Sequence, residues 1–427
     1  MAVKWTKQQR QVIDLRDCNL LVSAAAGSGK TAVLVERILS RITDKEHPLD
    51  LERLIVVTFT KAAAAEMKER LRLALEEKLE EEPDNERVRS QHMALHHARI
   101  STIDGFCSYL IKNYFHVCDL DPSCRIADEK ELALIRADVA AELLEDHFAE
   151  GSKEFFDFVE FFAFGKNDGQ LDELILKLYD FADAHPRPEE WLSGCAESYA
   201  CTTAGEFLQS PVGQMMQNLT EQELQTARQC AAQGLAVTEQ PGGPIYYQAF
   251  FREELSFIEW LCEDHDWEKR ALGIREHVPP RVRANKKAEY DGELVEKAGA
   301  YAEEYRSVLK RLRENFCACS LDQELALSEK CAGPARMFAE LTKEFAVRYR
   351  AKKREKKLRD FSDLEHDALS ILVQPDGSPS ETARSLQQYY QEIYIDEYQD
   401  SNLLQEMILN SISRQTDTEG NLFMVGD

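Results

Sequence analysis

The run Asn19-Leu20-Leu21-Val22-Ser23 is apolar, short, and enters a Gly/Ala-rich turn. From Lys30 to Arg41 apolar side chains return at Val33, Leu34, Ile38 and Leu39, the spacing of one helix face, so this stretch reads as strand, loop, helix. Leu54 to Phe59 is rich in β-branched residues and predicts a second strand. Ala62 to Leu79 is made of strong helix formers. Ile100 to Ile103 predicts a third strand, followed by an amphipathic helix through Phe115. Near the other end, Glu392-Ile393-Tyr394-Ile395 predicts a strand ending in acids, and Asn421 to Val425 another. Strands alternating with helices predict an α/β fold with a parallel sheet covered on both faces.

Between about Glu129 and Thr342 the pattern changes. Helical segments dominate (Glu131–Phe148, Asp172–Asp183, Tyr246–Cys262, Ala298–Phe316), and Pro186-Arg187-Pro188, Pro241-Gly242-Gly243-Pro244 and Pro279-Pro280 mark loops. The expectation is a sheet domain in two parts, 1–128 and 343–427, with a large, mostly helical insertion at 129–342. A chain of 427 residues also exceeds the roughly 250–300 at which single cores stop growing.

Composition narrows the class. No apolar run approaches the roughly 18 residues of a membrane span, and Met1-Ala2-Val3-Lys4-Trp5 has no targeting pattern, so a cytoplasmic protein without a membrane partner is expected. The 11 cysteines are scattered, with no Cys-x-x-Cys pair, which favours reduced structural thiols over a metal or disulfide framework. A net charge of −25 argues against a protein coated in nucleic acid but allows a local basic groove among acidic faces. The basic groups at Lys352-Lys353-Arg354, Lys356-Lys357, Arg359 and Arg281–Lys287 read either as solvated faces or as DNA contacts.

The strongest chemical signal is Ala24-Ala25-Ala26-Gly27-Ser28-Gly29-Lys30-Thr31, which has the spacing of a phosphate-binding P-loop, with Ala24 where Gly is more usual. Gly27 and Gly29 let the backbone turn tightly and aim its N–H groups at phosphate oxygens, and the helix begun at Lys30 adds its positive end. The Lys30 ammonium would reach the β- and γ-phosphates, and the Thr31 hydroxyl would coordinate Mg²⁺. Far downstream, Ile393-Tyr394-Ile395-Asp396-Glu397 ends an apolar strand in two acids. Asp396 suits Mg²⁺, directly or through water, and Glu397 suits the base that activates an attacking water. A strand-terminal acid pair alone could simply face solvent; with the P-loop it predicts ATP hydrolysis.

Asp396-Glu397-Tyr398-Gln399-Asp400-Ser401-Asn402, with Gln405 after it, resembles motif II of the UvrD/RecB helicases of superfamily 1. Trp5-Thr6-Lys7-Gln8-Gln9-Arg10 resembles their Q motif, with Gln9 in the place that reads the adenine edge. Val56 to Met67 resembles motif Ia, Ser101 to Cys107 motif Ib, and Asp360-Phe361-Ser362-Asp363-Leu364 the segment before motif II. Met424-Val425-Gly426-Asp427 resembles the opening of motif III. The wording of Ser23 to Ile38, with Ala32 rather than Arg after the P-loop Thr, and of Ile100 to Tyr114 is similar to the AddA subgroup of helicase–nucleases. Asp104 departs from the His common in UvrD-like proteins.

The resemblance implies a RecA-like P-loop domain (1A) carrying a helical insertion (1B), ATP and Mg²⁺ as ligands, and DNA as track. It also implies an AddB-like partner in break repair and recombination. It implies further that Thr58, Phe59, Thr60, Ala62, Thr102 and Phe106 line single-stranded DNA. Hydroxyls and helix-start N–H groups can hold phosphates, and a ring can stack on a base. Core packing of Phe59 and Phe106, and strand-end capping by Thr58 and Thr60, are the alternatives. Relatives continue into a second RecA-like domain with arginine fingers and a nuclease, so this chain is expected to be an N-terminal part that binds ATP–Mg²⁺ weakly and hydrolyses it slowly. A UvrD-like repair helicase without nuclease, and a scaffold that keeps ATP as a structural ligand, are the rival functions.

Overall fold

The computed structural model describes residues 5–25, 27–117, 121, 123–163, 171–263, 266–284, 289–414 and 420–426. Two compact units form: Met1–Leu144 with Asp172–Trp191 and Thr342–Asp427, and Glu145–Leu171 with Leu192–Leu341.

The first unit is built on a five-stranded sheet. Its strands are β1 (Leu20–Ser23), β2 (Leu54–Thr58), β3 (Arg99–Thr102), β6 (Glu392–Asp396) and β7 (Leu422–Gly426), in the order β1-β7-β6-β2-β3. Every pairing is parallel. A separate short ladder joins β4 (Arg125–Ile126) to β5 (Leu358–Arg359), also parallel. The central strands β2 and β6 are buried at every position, which is why they read as unbroken apolar runs. Successive side chains of a strand point to opposite faces. Accordingly Ile55, Val57, Ile393 and Ile395 enter one core, with the helices Ile103–Tyr114, Phe361–Leu372 and Leu403–Ile412. Leu54, Val56, Tyr394 and Phe423 enter the other, with the helices Lys30–Ile42 and Lys61–Glu81. The chain is therefore mixed α/β with a parallel sheet and mostly helical content.

Under that second face, Glu392 is buried between Arg41, 2.5 Å away, and Arg37. The Arg37 guanidinium also donates to the carbonyls of Val12 (2.8 Å) and Leu15 (2.6 Å), fastening the N-terminal helix Lys7–Asp14 to the helix after the Gly/Ala turn. On the other side of the unit, Lys353 bridges Asp360 (2.7 Å) and Asp363 (2.6 Å). In the basic run Lys352-Lys353-Arg354, then, Lys353 is a core residue rather than part of a solvated face.

The second unit is helical. The long helix Pro211–Thr238 packs against Gln248–Cys262 and Gly292–Arg311 around Leu224, Phe251, Ile258, Tyr305 and Leu309. Gly234 is needed there by contact, because a Cβ would lie 2.2 Å from the Phe251 ring. Every described cysteine is a free thiol. No helix among the described residues is long and apolar enough to cross a membrane.

Candidate nucleotide site and nucleic-acid face

Parallel pairing aligns the carboxyl ends of the strands at one edge of the sheet. Ser23 pairs with Gly426, Asp396 with Val425, and Thr58 with Thr102. Ligands of open α/β sheets bind at that edge. The Ala24 N–H donates to the Gly426 carbonyl (3.1 Å), carrying β1 into the loop. Gly27 (φ +78°) and Gly29 (φ +83°) are left-handed, which strains any residue bearing a Cβ. At Gly27 the demand is purely conformational, because a Cβ there would meet nothing within 4 Å. Gly29 begins the helix Lys30–Ile42 with no side-chain cap, so its first N–H groups point at the loop mouth as an anion site does. The Lys30 ammonium donates back across the loop to the Ala24 carbonyl (3.0 Å). Thr31, half-buried, occupies the first turn of that helix, and Ala25 and Ser28 are exposed on the loop. Ala26 and Asp427 lie outside the described residues.

Gln9 comes to the same loop from the N-terminal helix. It forms a capping box with Thr6, donating its N–H to the Thr6 hydroxyl (3.2 Å) and accepting the Thr6 N–H at Oε1 (2.9 Å). Its Nε2 donates to the Ser28 carbonyl (3.1 Å).

The acids arrive on β6, separated from β1 in the sheet by β7. Asp396 retains only 9% exposure. Burial raises its carboxyl above the usual range, the neighbouring Glu397 raises it further, and the Lys30 charge pulls it down. Parallel pairing of β1 with β7 and of β7 with β6 puts the loop that precedes Lys30 and the strand-end acid at the same edge of the sheet. Glu397 adopts φ +58°, uncommon for such a side chain, and turns the chain out of the sheet. Its Oε2 accepts from Gln399 Nε2 (2.8 Å). Gly426 makes room for this, since a Cβ there would sit 2.5 Å from Gln399 Oε1. Among the described residues there is no group of three or more His, Cys, Asp or Glu that could hold a metal. The side-chain oxygens of Thr31 and Asp396 are hard donors of the kind that Mg²⁺ takes.

At the ends of β2 and β3 the candidate DNA residues separate. Phe59 is 63% exposed, and Thr60 and Ala62 are exposed beside it. Thr60 caps the helix Lys61–Glu81, accepting the Ala63 N–H (3.0 Å). Thr58 is buried and donates to the Thr60 carbonyl (3.0 Å); Thr102 is buried and accepts the Gly105 N–H (3.2 Å) as cap of the next helix. Phe106 corrects the expectation drawn for it. It is fully buried, stacked near Tyr109 and edge-on to Tyr390, and leaves no ring face for a base.

A model of the UvrD/REP helicase N-terminal domain matches residues 5–427. The chain belongs to the UvrD/REP helicase family. Similar curated proteins are named as ATP-dependent helicase/nuclease subunits. That of Lachnoclostridium phytofermentans is 41% identical over 431 residues, covering 99% of this chain and 31% of that protein. Those of Geobacillus kaustophilus, over 432 residues, and Bacillus licheniformis, over 431, are each 38% identical, covering 99% of this chain and 35% of the relative. The chain thus spans about a third of the length of these relatives.

Within this UvrD/REP domain the fold adds contacts that the motifs alone do not show. Gln399 holds Glu397, Gly426 leaves Gln399 its place, and Arg37 anchors the helix that carries Gln9. Gln399 already stands within the motif II resemblance, two positions after Glu397. The contacts of Arg37 could not be read in this way, because its carbonyl partners are fixed only by tertiary packing.

Proposed function

We propose that this chain is the ATP-binding part of a DNA helicase or translocase, in a protein of the AddA helicase–nuclease type that acts in double-strand break repair and recombination. In this reading residues 1–128 and 343–427 form the RecA-like domain 1A, and residues 129–342 the inserted 1B. What supports it is that parallel pairing brings the loop after Ser23 and the strand end at Asp396 to one edge of the sheet from opposite ends of the chain.

ATP is the substrate. The backbone from Ala24 to Gly29 and the uncapped helix N-terminus receive its phosphates, Lys30 leaves the Ala24 carbonyl to bind the β- and γ-phosphates, and Gln9 takes the adenine edge. Mg²⁺ held by Thr31 and Asp396 would neutralise charge gathering on the transferring phosphoryl group. Glu397, oriented by Gln399, aligns the attacking water and accepts its proton. Phe59 stacks on a base of single-stranded DNA, while Thr60, Ala62 and the N–H groups of the helix they begin hold its backbone; Thr58 and Thr102 shape that track from beneath. The nuclease activity and an AddB-like partner belong to the whole protein in this proposal.

Glu397→Gln in the complete protein tests it. The expected result is a loss of about 100-fold or more in DNA-stimulated ATP hydrolysis with ATP binding retained. Undiminished hydrolysis would contradict the role, and retained DNA unwinding without hydrolysis would favour a scaffold.

A further inference from the structure

Glu365 is a buried acid that the hydrolysis scheme above does not use. It lies on the helix Phe361–Leu372, which packs against both the helix that follows β3 and the helix that follows the Asp396–Glu397 corner. Leu364 and Leu369 share one core with Phe106 and Leu404 from those neighbours. The Glu365 carboxylate accepts from Gln405 Nε2 at 2.7 Å, and Gln405 is paired in turn with Asn402. Those two residues lock each other. Asn402 Oδ1 accepts the Gln405 N–H (2.8 Å), and Gln405 Oε1 accepts the Asn402 N–H (3.4 Å). Together they cap the helix Leu403–Ile412, where the chain leaves the corner that carries Glu397. Burial first and then the Asp104 charge raise the Glu365 carboxyl, and burial raises that of Asp104 while the Lys61 charge lowers it. Lys61 and Asp104 lie in the first turns of the two helices that start at the candidate DNA face.

We propose that Glu365 is a positioning residue that couples DNA at the ends of β2 and β3 to the Asp396–Glu397 corner, by holding the Asn402–Gln405 cap. This rests on the motor reading above. A strand arriving beside Thr60 and Gly105 meets the first turn of the helix Ile103–Tyr114. Movement of that helix passes through its packing on Phe361–Leu372 to Glu365, and the cap moves with its hydrogen-bond acceptor. Contiguous contacts of this kind carry coupling only if both sites bias them, which is open to measurement.

In the complete protein, ATP hydrolysis is measured with and without a poly-thymidine single strand, together with the KM for ATP. Glu365→Ala is expected to lower the ratio of stimulated to basal rate by about fivefold or more, leaving basal rate and KM within about twofold. Glu365→Gln, whose amide oxygen still accepts from Gln405, keeps most of the ratio. Gln405→Leu breaks the same bond from the other side and lowers the ratio as Glu365→Ala does, which keeps the test available should Glu365→Ala fail to fold. An unchanged ratio in the Ala or Leu variant, basal and stimulated rates falling in step, or a Gln variant as impaired as Ala would each overturn the coupling. A parent protein whose hydrolysis ignores DNA would overturn the motor reading and the coupling together; a stimulated parent with unaffected variants overturns the coupling alone.

Discussion

Replacing Lys353 by Met keeps most of the aliphatic stem and removes the charge from a site where the side chain is 2% exposed. Two carboxylates lose their shared cation. Asp360 sits 2.7 Å from it and Asp363 2.6 Å, and each also caps the other's backbone N–H at the start of the helix Phe361–Leu372. Breaking a buried ion pair from one side costs about 3–5 kcal/mol. The loss here depends on pH, and the sign follows from the two acids. Lys353 and the cap bonds hold Asp360 below its ordinary value despite burial, so its contribution is present above that value and lost as pH falls. Burial and the Asp360 charge push Asp363 up to about 6, so the folded state takes up a proton there more readily than the unfolded chain, and stability falls as pH rises through about 6. Without Lys353 the pair holds one proton to higher pH still. The Met variant is thus expected to lose about 3–5 kcal/mol at pH 7. Between pH 7 and pH 5 it should recover, relative to the parent, up to about 1.4 kcal/mol per pH unit, the limit for one proton. Urea denaturation of both proteins at the two pH values reads this directly. A loss under about 1 kcal/mol at pH 7, or an equal loss at both pH values, would refute the reasoning.

Phe59→Ala is expected to weaken single-stranded DNA binding by about 1–3 kcal/mol without altering the melting temperature, whereas Phe106→Ala should destabilise the fold by about 3–5 kcal/mol. Thermal melts and strand titrations separate the two, and a reversal of these effects would show that the exposed and buried rings had been assigned wrongly. Gly426→Ala should displace Gln399 from Glu397, removing a bond to a charged group worth about 1.5–3 kcal/mol, and so slow ATP hydrolysis in the complete protein about 10- to 100-fold. Wild-type turnover in that variant would show that Gln399 does not orient Glu397.

The glycine-rich turn was legible because it is local: Gly27, Gly29, Lys30 and Thr31 lie within five positions, and the two glycines need a backbone only glycine adopts easily. The parallel sheet was legible from β2 and β6, whose burial on both faces leaves apolar runs. The exposure of the residues at the ends of β2 and β3 was legible only in part. Phe59 and Phe106 are the same residue type, each beside a strand end, and only packing shows which one faces outward. Phe106 stands with Cys107, Leu110 and Ile111 on one helix stripe, a periodicity that points inward. Lys353 and Glu365 were hidden for a different reason. Their partners lie beyond a turn or on another helix, and a charged residue in a charged run gives no sign of burial until those partners are placed.

The central claim is that Lys30 and Asp396 serve one Mg²⁺–nucleotide site. Titration of a fluorescent ATP analogue into this chain, with and without Mg²⁺, tests it most directly when parent, Lys30→Ala and Asp396→Asn are compared at equal helical content by circular dichroism. The expected result is that Lys30→Ala abolishes binding in both conditions, while Asp396→Asn removes only the increment that Mg²⁺ adds. Lys30→Ala binding the analogue as the parent does, or Asp396→Asn leaving the Mg²⁺ increment intact, would contradict it.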